Sequence, residues 1–487
     1  MSPPRRFLLW ILLVLALFTI IFLRAPNVLL LPALQVEDGS YIFAHFYQHR
    51  GFEQLFRFQD NYVHLTSNII AYCSVRLPTR LIPYGITWAP LFLTVATYAL
   101  FFNTRYRRFV PSDTCRGVTC VLFALAPISS FHHLSHTDYS HWTTLLLLIL
   151  LSVRPLPDKP WQRYVSWAIC NLLIWGSPLA ILVLPLPIYF ICIRERDRLL
   201  YTTLLVNLIA HHFLGVEGAS IFAGLNVLGI ARTIAESSLY TLYIIARTAF
   251  RTAFGSPLLA WADRHIWSLP VYWALFLVLT TSVLFRIKRR PRTPILFLLY
   301  IIYGVTFLTV IGRGYENVDM DDAPRYVYIQ SLAFLVLFVI LATEITRLTV
   351  RRLRGTRTRT ALRLRWGDTQ AFVLAALIGY YFLLNTQLGY YLAANTTVGG
   401  PYRYSDPQNG RIVRDFFDEL ATIEDKTGTR SGICLVAEKK DDWSIVIDTR
   451  SKTFARSGGP LSYGPTRPTT CLKVNSHGVT RVNAPEQ

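Results

Sequence analysis

The chain has 487 residues, of which 52% are hydrophobic and only 16% are charged, and its mean hydropathy is +0.36. Because ordinary globular domains carry about 25% charged residues, the composition excludes a typical water-soluble enzyme and indicates a chain that crosses a membrane many times. The net charge of +20 does not indicate a nucleic-acid-binding protein, because the Arg and Lys residues form short clusters between apolar runs, as expected for cytoplasmic loops.

Apolar runs that could form membrane-spanning helices recur along the chain. A helix of about 20 apolar residues crosses the hydrocarbon core of a bilayer. The first run, residues 7–23, is longer than the apolar core of a signal peptide and has no small-residue cleavage site after it, so we interpret it as an uncleaved span. We predict an all-α polytopic membrane domain over residues 1–391, with about 11 transmembrane helices near residues 7–23, 84–102, 117–132, 139–153, 164–176, 179–193, 199–214, 268–285, 294–311, 327–346 and 369–391.

Basic clusters give the predicted orientation. If Arg5 and Arg6 are cytoplasmic, every second loop should be basic. The loops with this property are residues 105–116, 154–163, 194–198, 286–292 and 347–365. The N-terminus is then cytoplasmic, and the C-terminus lies on the opposite side. Proline residues interrupt residues 164–193, so this stretch could instead be one span with a re-entrant piece.

Three segments on the predicted outer side are too long to be simple turns between spans. Residues 40–80 and 216–265 mix aromatic, apolar and polar residues, which is typical of helices lying in the membrane interface. Residues 392–487 are polar and mixed in charge, and they predict a small extracytoplasmic α+β domain. Within it we predict a helix near Arg411–Ile423 and strands at Gly432–Val436, Ser444–Ile447, Thr470–Val474 and Val479–Val482.

Two of the seven cysteines, Cys434 and Cys471, lie in predicted strands of this outer domain. An oxidising compartment would let them pair, but sequence alone does not give the distance between them. The sequence therefore leaves a disulfide between them open.

The acidic pair Glu37-Asp38, just past the first span, is the first candidate for chemistry. A carboxylate close to low-dielectric lipid can have a raised pKa, which suits a general base. The pair could alternatively hold a divalent cation such as Mg²⁺ or Mn²⁺, or cap the following helix. We predict catalytic residues here, with a divalent cation as the one candidate cofactor.

Histidines on the predicted outer side form the second candidate. His45, His49 and His64 follow the acidic pair, and residues 132–141 contain four His and one Asp. Such a polar rim could hydrogen-bond a hydroxyl-rich or phosphate-bearing substrate. We assign substrate binding to His64, His133 and His136. Three His could also bind zinc, although the spacing fits no standard zinc signature, and a solvated loop is the third interpretation.

Two arginines stand where the positive-inside rule disfavours them, next to spans on the predicted outer side. They are Arg313 and Arg325. The planar guanidinium group is well suited to binding phosphate. We therefore predict that Arg325, with Tyr326 and Arg313, binds the phosphate of a lipid carrier. Ion pairs with the acids of residues 316–322 are the alternative.

In the order of its features the chain resembles the GT-C glycosyltransferases, integral membrane enzymes that take sugar from a polyprenyl-phosphate or polyprenyl-diphosphate carrier. The likeness lies in a first span followed by Pro26 and the sequence Val36-Glu37-Asp38-Gly39, and in Arg325-Tyr326 at the start of a late helix. Val36 stands where this family often has an aromatic residue. The C-terminal domain resembles no named carbohydrate-binding module.

The resemblance implies an inverting reaction on the outer side of the bacterial cytoplasmic (inner) membrane. Asp38 or Glu37 would deprotonate an acceptor hydroxyl, which attacks the anomeric carbon of the donor, while Arg325 holds the departing lipid phosphate. The implied partners are a polyprenyl-phosphate sugar donor, a glycan or lipid-linked acceptor and membrane lipids, with no nucleic acid.

Two other classes of protein share part of this evidence. An O-antigen-type polymerase or ligase would carry outer loops rich in Arg and His rather than an acidic pair after the first span. A flippase or secondary transporter for lipid-linked glycans would carry acids or broken helices at mid-membrane and inverted repeats. The chain has few such acids and no evident repeat.

Overall fold

The structure is a computed structural model. It describes residues 3–24, 29–30, 32, 43, 46–47, 51–59, 62–126, 137, 139–214, 227–254, 268–287, 293–313, 327–355, 373, 375–381, 414–422, 425, 433–437, 470–475 and 478–483. These residues are mostly helical, as predicted.

Most of the longer helices overlap the predicted apolar runs. In chain order they are α1 (Pro3–Arg24), α2 (Leu65–Ser74), α3 (Ile82–Leu100), α4 (Asp113–Leu125), α5 (Ser140–Ser152), α6 (Pro160–Ile174), α7 (Pro185–Ile193), α8 (Arg198–Leu214), α9 (Val227–Phe254), α10 (Ser268–Ile287), α11 (Thr293–Arg313) and α12 (Tyr328–Gly355). Short 3₁₀ turns lie at Phe52–Phe56, Thr79–Leu81, Thr104–Arg108, Pro178–Val183 and Glu195–Asp197. Residues 375–381 and 414–422 are also helical.

The number of long apolar helices is smaller than predicted. Within the described residues, Arg6–Leu23 and Thr79–Leu100 are long and apolar enough to cross a membrane, whereas about 11 spans were expected. Four other apolar stretches are shorter, at Ser140–Ser152, Pro178–Ile193, Ile295–Ile311 and Tyr328–Thr343. Proline explains part of the shortening, because it cannot donate a helix hydrogen bond and residues 164–193 divide into α6, a 3₁₀ turn and α7.

Residues 40–80 contain more than the predicted interfacial helices. A small antiparallel hairpin pairs β1 (Phe58–Gln59) with β2 (Tyr62–Val63) and leads directly into α2. The amide of Asn68 on α2 donates to the carbonyls of Leu55 and Arg57, at 3.0 and 3.2 Å. These bonds hold the preceding 3₁₀ turn against α2. The hairpin therefore places Tyr62 and Val63 next to the first turn of α2.

Residues 227–254 of the second predicted interfacial segment form α9, a single helix that packs against α10, α11 and α12. Arg247 and Arg251, one turn apart, are 7% and 8% exposed. Residues 375–381 cover the end of α9, where Tyr380 donates to the carbonyl of Ala253 at 3.2 Å and Tyr381 to that of Thr252.

Two arginines of the predicted cytoplasmic loops are buried in protein. Arg116 is fully buried and donates to the carbonyls of Phe102 and Val110, at 3.2 and 2.8 Å, and to Asp113. Arg163 donates to the carbonyls of Pro157 and Asp158, at 3.2 and 2.7 Å, and lies 3.3 Å from the Asp197 carboxylate. Because a buried cation needs such partners, these side chains hold the first turns of α4 and α6 against the chain segments before them.

The described part of the C-terminal tail contains three of the predicted strands and part of the predicted helix, but it does not show the predicted α+β domain. Strand β3 (Ile433–Ala437) pairs in parallel with β4 (Thr470–Asn475), and β4 pairs antiparallel with β5 (Gly478–Asn483). These match three of the four predicted strands, and residues 414–422 lie within the predicted helix. The fourth, Ser444–Ile447, lies outside the described residues.

The helix at residues 414–422 packs on the segment that follows the acidic pair. The ring of Phe43 contacts those of Phe416 and Phe417, with centroids 6.4 and 4.9 Å apart, and Arg80 pairs with Asp418 at 3.1 Å. Phe43, Phe416 and Phe417 are buried. The start of the tail and residues 43–80 therefore belong to the same end of the molecule.

Gly176 provides a test of how closely α2 and α5 approach the chain after α6. A Cβ added at Gly176 would lie 2.5 Å from Thr66 Oγ1 and 2.6 Å from Thr144 Cγ2. We expect Gly176→Ala to destabilise the fold by about 1–3 kcal/mol through overpacking, measured as a lower melting temperature in detergent. The control is Gly117→Ala in α4, where the added Cβ meets only Phe102 at 3.7 Å; an equal loss in both variants would contradict the close approach.

Asp113 provides a pH-dependent test of the buried Arg116. Burial by itself raises the pKa of the Asp113 carboxyl, but the hydrogen bond and charge of Arg116, with the charge of Arg107, outweigh it and hold the pKa below its usual range. A depressed pKa stabilises the fold at pH values above the unfolded pKa of about 3.9, and this stabilisation is lost as the pH falls through the folded pKa. We expect Asp113→Asn to lower the melting temperature at pH 7 and to flatten its acid dependence, whereas the exposed Asp158→Asn should not.

Candidate functional site

A connected set of buried polar side chains lies where α2, α5 and α12 begin and along the facing side of α3. Its members are each less than a tenth exposed. We call this set the polar seam, which consists of Tyr62, His64, Ser67, Thr94, Tyr98, Thr137, Ser140, His141, Thr143 and Tyr328.

The first part of the polar seam is a cluster of three rings. The β1–β2 hairpin brings Tyr62 onto His64, with ring centroids 3.8 Å apart and the planes nearly parallel. The ring of His141, in the first turn of α5, stands at 88° to that of His64, with centroids 5.4 Å apart. Two imidazoles and a phenol thus meet at the start of two helices. Such groups can donate to or accept from hydroxyl and phosphate oxygens.

Hydroxyl groups continue the polar seam between helices. Ser67 and Ser140 are hydrogen-bonded at 2.9 Å and join α2 to α5. Thr137, just before α5, donates to the carbonyl of Ile86 on α3 at 2.7 Å. Thr137 therefore holds the end of the histidine-rich segment against α3.

Tyr328, the first residue of α12, forms the last part of the polar seam. Its hydroxyl lies 2.6 Å from that of Tyr98 on α3 and is also hydrogen-bonded to Thr143 on α5. Thr143 in turn contacts Thr94 at 3.1 Å. Four side chains are thereby joined into one buried network, Thr94, Tyr98, Thr143 and Tyr328, and the start of α12 is held beside the start of α5.

An open groove lies next to the ring cluster. Its volume is about 540 Å³, and Phe56, Leu65 and Trp175 line it together with residues of α6 and α8. The backbone N–H of Leu65 donates to the carbonyl of Trp175 at 3.1 Å. Leu65 directly follows His64, so the groove begins one residue from the polar seam.

The groove is largely apolar but contains a short polar ladder. Trp175 Nε1 donates to the side-chain oxygen of Asn207 at 2.9 Å, and the Asn207 amide donates to the side chain of Asn171 at 2.9 Å. The helices on either side expose large apolar side chains, among them Leu172 and Val206. A groove of this kind suits an elongated apolar ligand that carries occasional polar groups.

The structure describes only some of the predicted site residues. Glu37, Asp38, His133, His136, Arg325 and Tyr326 lie outside the described residues, as do His45 and His49. Arg313 is the last residue of α11. His64 is buried in the polar seam, where it contacts His141 from the predicted histidine-rich segment. The structure therefore brings two of the predicted segments together.

Several polar residues of this region were not predicted as site residues. Tyr62, Tyr98 and Tyr328 are among them, because sequence spacing does not show which side chains meet across helices. Arg247 and Arg251 lie in residues 216–265, which are predicted to be interfacial. Their spacing of four residues inside an apolar stretch would have indicated two buried cations on one face of α9.

No metal site can be built from the described residues. In that part of the chain, no three His, Cys, Asp or Glu side chains group closely enough to hold an ion. The predicted divalent-cation ligands Glu37 and Asp38, and most of the histidines considered for zinc, lie outside it. The cation therefore stays a prediction.

Comparisons with known protein families, with characterised proteins and with solved structures found no significant match. The resemblance to GT-C glycosyltransferases therefore rests on the residues and the order of features described above.

The stabilising role of the polar seam can be tested at the hydroxyl of Tyr328, which bonds to two other hydroxyls. Tyr328→Phe keeps the ring but leaves the buried hydroxyls of Tyr98 and Thr143 without this partner. We expect the free energy of unfolding to fall by about 1–3 kcal/mol, seen as a lower melting temperature in detergent. The control is Tyr164→Phe on α6, where the tyrosine is 57% exposed. Equal stability of both variants would contradict a structural role for the Tyr98–Tyr328 contact.

Proposed function

We propose that the protein is an inverting membrane glycosyltransferase. It transfers a sugar from a polyprenyl-phosphate-linked donor to an extracytoplasmic glycan or lipid-linked acceptor. The observation that carries the proposal is a series of contacts that joins described residues of three predicted segments. The ring of His64 contacts that of His141, and Thr143, two residues further along α5, is hydrogen-bonded to Tyr328 at the start of α12.

Chain connectivity limits how far the predicted residues can lie from the described residues. An extended chain spans at most about 3.6 Å per residue. Arg325 is two residues from the described Val327, so their Cα atoms are within about 7 Å, and His136 is bonded directly to Thr137. Asp38 is five residues from Phe43, which corresponds to at most about 18 Å.

The chemistry follows from the residue types. Asp38 or Glu37 acts as the general base and takes the proton of the acceptor hydroxyl. The oxygen attacks the anomeric carbon, and the bond to the carrier phosphate breaks. Arg325, with Arg313 and Tyr326, binds the departing phosphate. Because phosphate is a good leaving group, the protein acts mainly by aligning the reactants and by stabilising negative charge.

The histidines bind the substrate and do not transfer the proton. His64, His133 and His136 hydrogen-bond hydroxyl or phosphate oxygens at the rim of the site. Leu65, the next residue in the chain after His64, lines the groove. That groove supports a lipid-linked donor, since an isoprenoid chain needs an apolar surface next to the reacting headgroup.

The proposal also includes the topology of the chain. The protein crosses the bacterial cytoplasmic membrane about 11 times and has an extracytoplasmic α+β tail. Two observations support this topology. Helices present large apolar side chains outward, such as Leu12 and Leu15 on α1 and Phe213 on α8, which suits a lipid surrounding better than water. The contacts of residues 414–422 with Phe43 and Arg80 join the tail to the end that carries the acidic pair.

An O-antigen-type polymerase or ligase is the second candidate, because of one specific observation. Arg247 and Arg251 are buried on α9 in a segment predicted to lie on the outer side, and arginines there are expected of an enzyme that binds lipid diphosphates. Such an enzyme would transfer a whole glycan rather than a single sugar. The two candidates are therefore separated by the size of the transferred group.

The catalytic assignment is tested by charge-removing substitutions of the acidic pair. We expect Asp38→Asn or Glu37→Gln, made singly, to reduce sugar transfer on the order of 10²-fold or more with the protein still folded. The measurement is transfer of labelled sugar from a polyprenyl-phosphate donor by the purified protein. Glu236→Gln, which removes an exposed carboxylate paired with Arg232, is the control. Wild-type activity in both Asp38→Asn and Glu37→Gln would refute the assignment.

The phosphate assignment is tested separately. Arg325→Ala removes a cation that binds the carrier phosphate, so the apparent KM for the donor should rise by tenfold or more, on the order expected for one charge-assisted hydrogen bond. Arg232→Ala serves as the control, because this arginine is exposed on α9. An unchanged donor affinity in Arg325→Ala would exclude the phosphate role.

A further inference from the structure

We propose that Cys434 and Cys471 form a disulfide that links two neighbouring strands of the C-terminal tail. The inference does not depend on the proposed sugar transfer. It rests on the register of the strands and on the extracytoplasmic position of the tail that is part of the proposed function.

The register puts the two cysteines directly opposite each other. In the parallel pair β3–β4, Cys434 is the partner of Cys471, between the pairs Ile433–Thr470 and Leu435–Leu472. Neighbouring strands lie about 4.7–4.9 Å apart, and disulfides join Cα atoms about 4.4–6.8 Å apart. Residues paired in register also share a face of the sheet, because side chains alternate between faces along each strand. The backbone therefore meets the distance requirement without any shift of a strand.

The other five cysteines lie in helices of the first half of the chain. The chain has seven, and five of them are free thiols, namely Cys73, Cys115, Cys120, Cys170 and Cys192. Three of these, Cys115, Cys120 and Cys170, are buried in the helix bundle. The two cysteines that are paired in register are thus the two that belong to the tail.

The sheet gives the bond a structural purpose. Strand β5 follows β4 after two residues, so their pairing is local, whereas residues 438–469 separate β3 from β4. In the described sheet β3 lies at the edge and hydrogen-bonds to β4 alone. Closing a long connection costs chain entropy, and a covalent link between β3 and β4 removes most of that cost from folding. The bond would hold the edge strand in register.

The compartment supplies the oxidant. The tail helix at residues 414–422 contacts Phe43 and Arg80, so the tail shares the end predicted to be extracytoplasmic, where disulfides persist. The two thiols exchange with the disulfide of a thiol–disulfide oxidant. Two S–H bonds and the oxidant's S–S bond break, the Cys434–Cys471 bond forms, and the oxidant leaves as two thiols carrying both protons and both electrons.

The test is thiol counting on the full-length protein purified from membranes without reductant. The denatured protein is treated with a mass-adding maleimide before and after reduction. We expect five thiols to react without reductant and seven with it, on a monomeric band. In Cys434→Ser or Cys471→Ser, six should react in both conditions, because the partner thiol is released. The control Cys73→Ser should still gain two reactive thiols on reduction.

Two results would overturn the proposal. One is reaction of all seven thiols without reductant, and the other is a reduction-sensitive dimer in place of an internal bond. As a second readout, the Cys434→Ser/Cys471→Ser double variant should lose its tail to a protease on the order of tenfold faster than the wild type. Unchanged cleavage would show that the bond does not stabilise the sheet. None of these results alters the expected effects of Asp38→Asn or Arg325→Ala.

Discussion

A hydroxyl or imidazole buried among apolar helices must find its hydrogen-bond partner in the protein, because neither lipid nor an apolar core supplies one. In this chain the requirement is met between helices, by the pairs Ser67–Ser140, Thr94–Thr143 and Tyr98–Tyr328. Hydrogen bonds are directional, so these pairs determine how α2, α3, α5 and α12 are rotated about their axes, which apolar contacts alone leave less restricted. The polar seam thereby orients the helices whose first residues border the proposed site.

The same requirement applies to charge, and it divides the arginines into groups with different roles. Arg116 and Arg163 satisfy backbone carbonyls of the chain segments beside them and pair with Asp113 and Asp197. They fix the first turns of α4 and α6 to the chain segments before them. Arg247 and Arg251 are buried on α9, in a segment predicted to lie on the outer side, where the positive-inside rule does not expect arginines. A positive-inside count registers only the side on which an arginine lies, whereas burial shows that all four are held inside the protein.

Sequence predicted the helices well because apolar runs and proline act locally. The ends of α8, α10 and α11 lie within about two residues of the predicted runs, and Pro178 and Pro185 divide residues 164–193. Alternation of side chains likewise predicted β3, β4 and β5. The β1–β2 hairpin was missed because strands of two residues carry no periodic signal. The ring contact of His64 with His141, and the bond of Tyr98 with Tyr328, were missed because they depend on how distant helices pack, which no local pattern reports.

The position of residues 414–422 changes how the tail should be understood. Phe416 and Phe417 are buried, and their rings contact Phe43, whereas the accompanying Arg80–Asp418 pair is exposed and adds little by itself. Apolar burial is therefore what attaches this helix. Because Phe43 lies in the segment that follows the first helix, the same contact fixes the start of the tail against the N-terminal part of the chain.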